Sequence, residues 1–372
     1  MTMRTAALLA LAATLASLPA GSRASGPGVP AMPATRLAAG PMHSLILFDD
    51  GQLWATGNGN QGQLCDGDTT IQRQPRAVMS GVADIAAGER YSLVLKTDGS
   101  LWACGENDDG QLGSGDTQRA TEPLQVIDRV ATMAASKRHS LIVRTDGSLW
   151  VVGNNTHGQL GSGDEESRQA PVQVMDGVRA VAAGDQHSLM LKLDGTAWAT
   201  GANSNGQLGT GDTRNRDTPV QVMEHVRAIA AGSAYSLFLR DDGSVWACGF
   251  DGGGQLGDGG NINRDTPVQV LDNVRAIAAG SFHSLFLRHD GSLWATGDNA
   301  QGQLGTGDTR HRNRPVQVLD QVQAMASGGY HSLAIRTDGS VVGTGSNGAG
   351  QLGLGQGIGE VDRFQAWGGS DE

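Results

Sequence analysis

Short apolar runs separated by glycine-rich polar stretches recur along this chain at a constant interval of 48 residues. One unit shows the pattern. Val226-Arg-Ala-Ile-Ala-Ala-Gly232 predicts a strand of small side chains, and Tyr235-Ser-Leu-Phe-Leu-Arg240 a second, bulkier strand. Asp242-Gly243 follows, and Asp-Gly between apolar runs predicts a two-residue hairpin. Ser244-Val-Trp-Ala-Cys-Gly249 is the third strand, and a long glycine-rich loop then leads to the fourth, Pro267-Val-Gln-Val-Leu271. The proline stands at the start of its strand, where a missing N–H is tolerated.

The register holds without insertion. Gly-Gln-Leu begins at Gly62, Gly110, Gly158, Gly206, Gly254, Gly302 and Gly350. Trp54, Trp102, Trp150, Trp198, Trp246 and Trp294 keep the same step, as does a serine from Ser44 to Ser332. Four short strands per unit, each unit too thin to stand alone, predict an all-β, seven-bladed β-propeller of four-stranded antiparallel blades. Residues 32–367 contain seven units in phase. The N-terminus lacks a preceding fourth strand, and Phe364-Gln-Ala-Trp367 stands at that position in the repeat. One blade is therefore expected to be completed from both ends, the ring closing by pairing of N- and C-terminal strands.

Only the first residues depart from the repeat. Arg4, the apolar run from Ala6 to Leu18 and the small residues of Ser22-Arg-Ala24 have the order of a secretory signal peptide, with cleavage after Ala24 or, alternatively, Ala20. The expected division is a signal peptide at 1–24, a linker at 25–35, the propeller at 36–367 and a tail at 368–372. Secretion or periplasmic export, with no later membrane insertion, follows as an expectation. Loss of the signal removes Arg4 and Arg23 and no acid, so the net charge of −11 becomes −13. An acidic surface repels phosphate backbones, so no nucleic-acid partner is expected. Three cysteines cannot all pair within one chain. Cys104 and Cys248 share a column of small strand residues two and five units along, and are expected to be inert buried thiols.

Ala-Ala-Gly-x-x-His-Ser-Leu, then Asp-Gly-x-x-Trp, then Gly-Gln-Leu-Gly-x-Gly, resembles the regulator-of-chromosome-condensation repeat, over nearly the whole expected mature chain. The resemblance implies a seven-bladed propeller and no single function. The founding nuclear member is a guanine-nucleotide exchange factor that binds nucleosomes; a secreted member of similar fold inhibits β-lactamases; others are interaction modules.

A side chain repeated in every blade answers a structural need, whereas a functional site must break the sevenfold symmetry. The column His43, His139, His187, His283 and His331 is filled by Tyr91 and Tyr235 elsewhere, which suits an aromatic with a hydrogen-bonding tip and not a metal ligand. Asp68, Asp116, Asp164, Asp212 and Asp308 are expected to form turns instead of calcium sites. No nucleophile elbow, HExxH, P-loop or paired-carboxylate signature is found, so a binding protein without cofactor or metal is expected, and not an enzyme. Symmetry breaks at the loops after the first and third strands, which share one face. Phe250, Phe282 and Tyr330 fall there on three consecutive units, with Arg310 and Arg312 nearby. These five are the candidate partner-binding residues, since aromatics and arginine are enriched at binding hot spots. The competing reading has the aromatics covering their own loops and the arginines paired with local acids. The function expected is a secreted, monomeric scaffold for a protein partner. The alternatives are an inhibitor of a secreted enzyme, a carbohydrate-binding or hydrolytic propeller and, last, an exchange factor.

Overall fold

The computed structural model describes residues 33–368; the expected signal peptide, residues 25–32 of the expected linker and residues 369–372 of the expected tail lie outside them. The described chain forms twenty-eight strands and no helix, in seven four-stranded antiparallel sheets. Each sheet is one blade made of consecutive strands, the first blade comprising Ala34–Ala39, His43–Phe48, Leu53–Gly57 and Gln72–Met79. First strands of neighbouring blades touch one another, so these lie innermost. Their Ala-Ala-Gly composition suits that crowded position. Second and third strands are almost wholly buried, because blades cover them on both sides. Fourth strands alternate half-buried and exposed residues and form the outer rim.

The terminal strands complete the ring. The last blade contains Val322–Ser327, His331–Arg336, Val341–Ser346 and the C-terminal Glu360–Ala366. The C-terminal strand thus fills the missing fourth-strand position, but it pairs inside its own blade, so no blade draws strands from both ends as the repeat phase had suggested. Closure with the first blade combines packing with hydrogen bonds between the end blades, among them Ser44 Oγ–H to Gln351 O at 2.7 Å and Thr56 Oγ1–H to Gly350 O at 2.8 Å. Trp367 lies 6.1 Å from Phe48 and 6.4 Å from Trp54, between ring centroids.

Two further sequence expectations are corrected. The Asp-Gly hairpins have three-residue loops, not two. At Thr97-Asp98-Gly99, Gly99 N–H donates to Lys96 O (3.0 Å) and Lys96 N–H to Ser100 O (2.9 Å). The loop closes on a left-handed residue, Gly99 at φ 83°. Asp98 Oδ1 accepts from Ser100 N–H and Oγ–H, and Trp102 Nε1 donates to that hydroxyl. The aspartate is thereby committed to the far side of the turn, which explains the longer loop. The second correction is Cys104, which is not a free thiol. It forms a disulfide with Cys65, Cα to Cα 5.5 Å, tying the first blade to the second. Cys248 is free and buried.

Candidate functional site

Two sets of polar contacts build the loop-bearing face. The first is a belt between blades. His43 Nε2 lies 3.0 Å from Ser92 Oγ, and the same contact recurs at His139–Ser188, His187–Ser236, His283–Ser332 and His331–Ser44. Tyr91 and Tyr235 make it to Ser140 and Ser284. Each serine gives its hydrogen to the carbonyl of a Gly-Gln-Leu glutamine, as Ser92 does to Gln63 O at 2.7 Å. The imidazole Nε2 must therefore be the donor. The glutamine side chain turns inward as well, Gln63 Oε1 accepting from Gln61 N–H. All seven positions of the column are fully buried. Burial holds His43, His187 and His283 at a pKa of about 4, and His139 and His331 at about 3. Neutral, buried and bonded through Nε2 to neighbouring serines, this column is a structural belt between blades. No cluster of three or more potential metal ligands exists among the described residues.

The second set closes each long loop. Asp116 Oδ1 accepts from Ser114 Oγ–H and Gln118 N–H, which makes it a turn residue. In blades three, four and six an arginine completes the clamp: Arg168 on Asp164, Arg216 on Asp212 and Arg312 on Asp308. Arg312 also donates to Arg310 O at 2.7 Å. It is a loop clamp, and the repeated column Arg168, Arg216, Arg264 and Arg312 was visible in the sequence. Arg310 on the same loop is exposed.

The three aromatics meet. Phe250 and Phe282 have ring centroids 6.4 Å apart at 74°, and Phe282 and Tyr330 lie 6.2 Å apart at 40°. Backbone bonds anchor each tip within its own blade: Phe250 N–H donates to Ala234 O, Asp298 N–H to Phe282 O and Ser346 N–H to Tyr330 O, each at 2.8 Å. The Phe250 ring folds over Gly252, where a Cβ would stand 2.6 Å from it. Phe250 and Phe282 are half-buried, and Tyr330 is 39% exposed. Gly329 packs on Pro41, which brings Met42, 50% exposed, to the end of the row. The apolar arc thus runs over blades five, six, seven and one.

On blades two and three the same face is ionic. Lys137 and Arg90 pair with Glu89, Arg90 also with Glu106, and Arg138 with Asp109. Desolvation raises Glu106 above the ordinary carboxylate range, with Arg90 opposing it. The candidate site is therefore a bipartite surface, with no nucleophile–base pair among the residues named for it. Met42 stands in the sequence column of Phe282 and Tyr330 but was not named with them, because only ring closure sets its blade beside blade seven, Gly329 against Pro41.

A family model described as the RCC1-like domain matches residues 14–271 and 175–366. Among solved structures the chain is similar to human WBSCR16 (TM-score 0.74, 22% identity, 82% of this chain and 86% of that one). It is also similar to Prp20p of Saccharomyces cerevisiae, described with its binding to Gsp1p and histones (0.73, 21%, 81% and 82%). Yeast RCC1 (Prp20) bound to Kap60 is a third (0.77, 20%, 95% and 91%). At these identities the likeness is one of fold. No curated protein matches the chain.

Proposed function

The chain belongs to the RCC1-like domain family, and from that premise we propose that it is an exported scaffold that holds a protein partner on the face carrying Phe250, Phe282 and Tyr330. The observation that carries this reading is the unbroken aromatic row on three blades. A packing requirement would recur in all seven. Here the other blades place Arg90, Arg138, Gln186 and Ala234 at the equivalent tips of Phe282 and Tyr330. An exposed apolar arc bordered by polar residues is the composition of a protein contact. Arg310, exposed on the loop that Arg312 clamps to Asp308, is assigned to its rim. The RCC1-like structures named above include proteins described with protein partners, which agrees with a scaffold role.

Two observations support export: the order of residues 1–24, and a buried disulfide joining two blades. Disulfides persist mainly in oxidising compartments.

The test starts from the mature protein purified with whatever co-elutes from periplasm or medium. Replacing Phe250, Phe282 and Tyr330 together by alanine is expected to weaken partner binding by more than about 2 kcal/mol while the melting midpoint holds nearly constant. Thr97→Ala and Thr145→Ala, on exposed turns of the opposite face, are expected to leave binding unchanged. Early unfolding of the triple variant would instead make the aromatics packing residues.

A further inference from the structure

Blade five breaks a second column, beneath Phe250. At the start of the long loop five blades carry asparagine: Asn107, Asn155, Asn203, Asn299 and Asn347. Each plays the same part. Its Oδ1 accepts from the leucine N–H five residues on, as Asn107 does from Leu112 at 2.9 Å. Its Nδ2 points into a nest of acceptors. For Asn107 these are Ser114 Oγ (3.0 Å), Asp116 O (3.1 Å) and Gln118 O (3.0 Å); for Asn203 they are Thr210 Oγ1 (3.1 Å) and Asp212 O (2.8 Å).

In blade five the residue is Asp251. Its Oδ1 keeps the bond, accepting from Leu256 N–H at 2.9 Å, so the side chain holds the same pose. The atom in the place of the amide nitrogen is Oδ2, an acceptor among acceptors. Asp251 is fully buried and Oδ2 has no donor. The neighbouring serine or threonine of other blades is also replaced, by Asp258. Asp258 is satisfied already: Oδ1 accepts from Gly260 N–H at 2.7 Å, and Oδ2 from Arg264 at 2.6 and 2.8 Å. In other blades the amide nitrogen bonds the side chain at the position of Asp258, Asn107 to Ser114 at 3.0 Å and Asn203 to Thr210 at 3.1 Å, so the same pose sets Asp251 Oδ2 against the Asp258 carboxyl. Buried carboxyls at that distance hold a proton between them more readily than two negative charges.

We propose that Asp251 and Asp258 share one proton, and that its loss above mildly acidic pH loosens the loop of residues 250–263 and with it the seat of Phe250. The link to Phe250 is direct, since its ring rests on Gly252, next to Asp251. Other charges facing the pair do not substitute for the proton. Arg264 is spent on Asp258; Arg314 of blade six lies against Gly259; Asp298, whose backbone borders Gly253, has its carboxylate 2.8 Å from His311 Nδ1. The acidity of Asp251 agrees: burial raises it to about 6, with the Leu256 N–H opposing and Asp258 reinforcing. Asp258 lies below its ordinary value because, against burial, the Gly260 N–H and Arg264 stabilise its charge. The consequence for a docking partner rests on the scaffold reading; the latch does not.

Hydrogen exchange on the free protein tests the latch, so its failure and that of the scaffold reading are separable. Asp251→Asn restores the side chain of five other blades, and comparing it with wild type at each pH cancels intrinsic exchange. Protection of the Leu256 and Gly260 amides is expected to match near pH 5.5 and to be about tenfold lower in wild type near pH 8. The melting midpoint of Asp251→Asn should match wild type in the acid range and exceed it above. A carbon-13 titration should place the Asp251 carboxyl near 6. Equal exchange in both proteins across the range, or an Asp251 midpoint near 4, would overturn the proposal. So would recovery of wild-type protection at high pH on adding millimolar calcium, which would put a metal where the proton is assigned.

Discussion

His331 Nε2 lies 2.9 Å from Ser44 Oγ, so residues 287 apart in sequence close the ring with the contact that joins every other pair of blades. Ser44 passes its hydrogen to Gln351 O at 2.7 Å, which makes His331 the donor. The second nitrogen of His43, His187, His283 and His331 has no partner and no exposure. A second proton on these rings would be buried without an acceptor.

Acid should therefore unfold the ring. Folded pKa values of about 3 to 4 lie below the ordinary 6.5, so between those values the unfolded chain binds more protons. Stability is full above about pH 6.5 and is lost as pH falls toward 4. Each site contributes up to on the order of 3 kcal/mol of that loss. His187→Tyr uses the side chain the column already accepts at Tyr91 and Tyr235, and should flatten the slope. Melting midpoints between about pH 4 and 8 check it. Parallel profiles for the variant and wild type would count against the histidine belt as the cause.

Trp367 should carry much of the terminal closure. It is buried to 7% exposure against Phe48 and Trp54, and Trp367 N–H donates to Val341 O. Trp367→Ala should cost about 3–5 kcal/mol. The indole Nε1 has no partner, so Trp367→Phe should cost much less. Deleting Phe364 to Glu372 should also bare the edge of Val341–Ser346 and promote association. Chemical denaturation and light scattering measure the two effects. A deletion that leaves both unchanged would mean that the strand contributes no closure.

The turn before each first strand offers a gain in stability. Arg129, His225, Asn273 and Gln321 adopt φ of 58–60°, a region costly for residues with a Cβ. Gly81 and Gly177 fill the same column in other blades at φ 70° and 72°. Arg129→Gly and Gln321→Gly should each stabilise by roughly 0.5–1 kcal/mol, relief of strain exceeding the extra backbone entropy. Asn273→Gly should change little, because asparagine tolerates this conformation. Loss of stability at Arg129 would show that its side chain does more than occupy the turn.

The architecture was legible because each blade repeats one solution to one packing problem, and an unbroken step of 48 residues keeps every column aligned. The aromatic row was legible for the opposite reason: Phe250, Phe282 and Tyr330 interrupt their columns. Asp251 interrupts one too. It was overlooked because asparagine and aspartate look alike until the nest of acceptors around Asn107 or Asn203 is seen. Hairpin length was misread at Asp98, where the side chain caps Ser100 and adds a residue to the loop. The disulfide needed the distance between columns of adjacent blades, which no single column contains.

That distance gives a constructive test. Cys65 stands in the glycine column of Gly113, Gly161, Gly209, Gly257, Gly305 and Gly353, and keeps the left-handed backbone at φ 61°. Its partner Cys104 is 39 residues on. Gly209 and Cys248 stand in the same relation three blades later. A Cβ built on Gly209 lies 3.0 Å from Cys248 Sγ, and the backbone there has φ 74°. Gly209→Cys should therefore form a second disulfide by the same geometry, leaving no free thiol under denaturing conditions. By chain entropy it should stabilise by about 2–4 kcal/mol, less the cost of a Cβ in the left-handed region. Conversely, Cys65→Gly with Cys104→Thr would restore the pattern of the other blades. It should lower the midpoint by a similar free energy without changing the fold, because Thr56, Thr200 and Thr296 already fill that column. Mass mapping under non-reducing conditions decides the first variant. Two free thiols at residues 209 and 248 in the folded protein would show that the first two blades meet differently from the fourth and fifth.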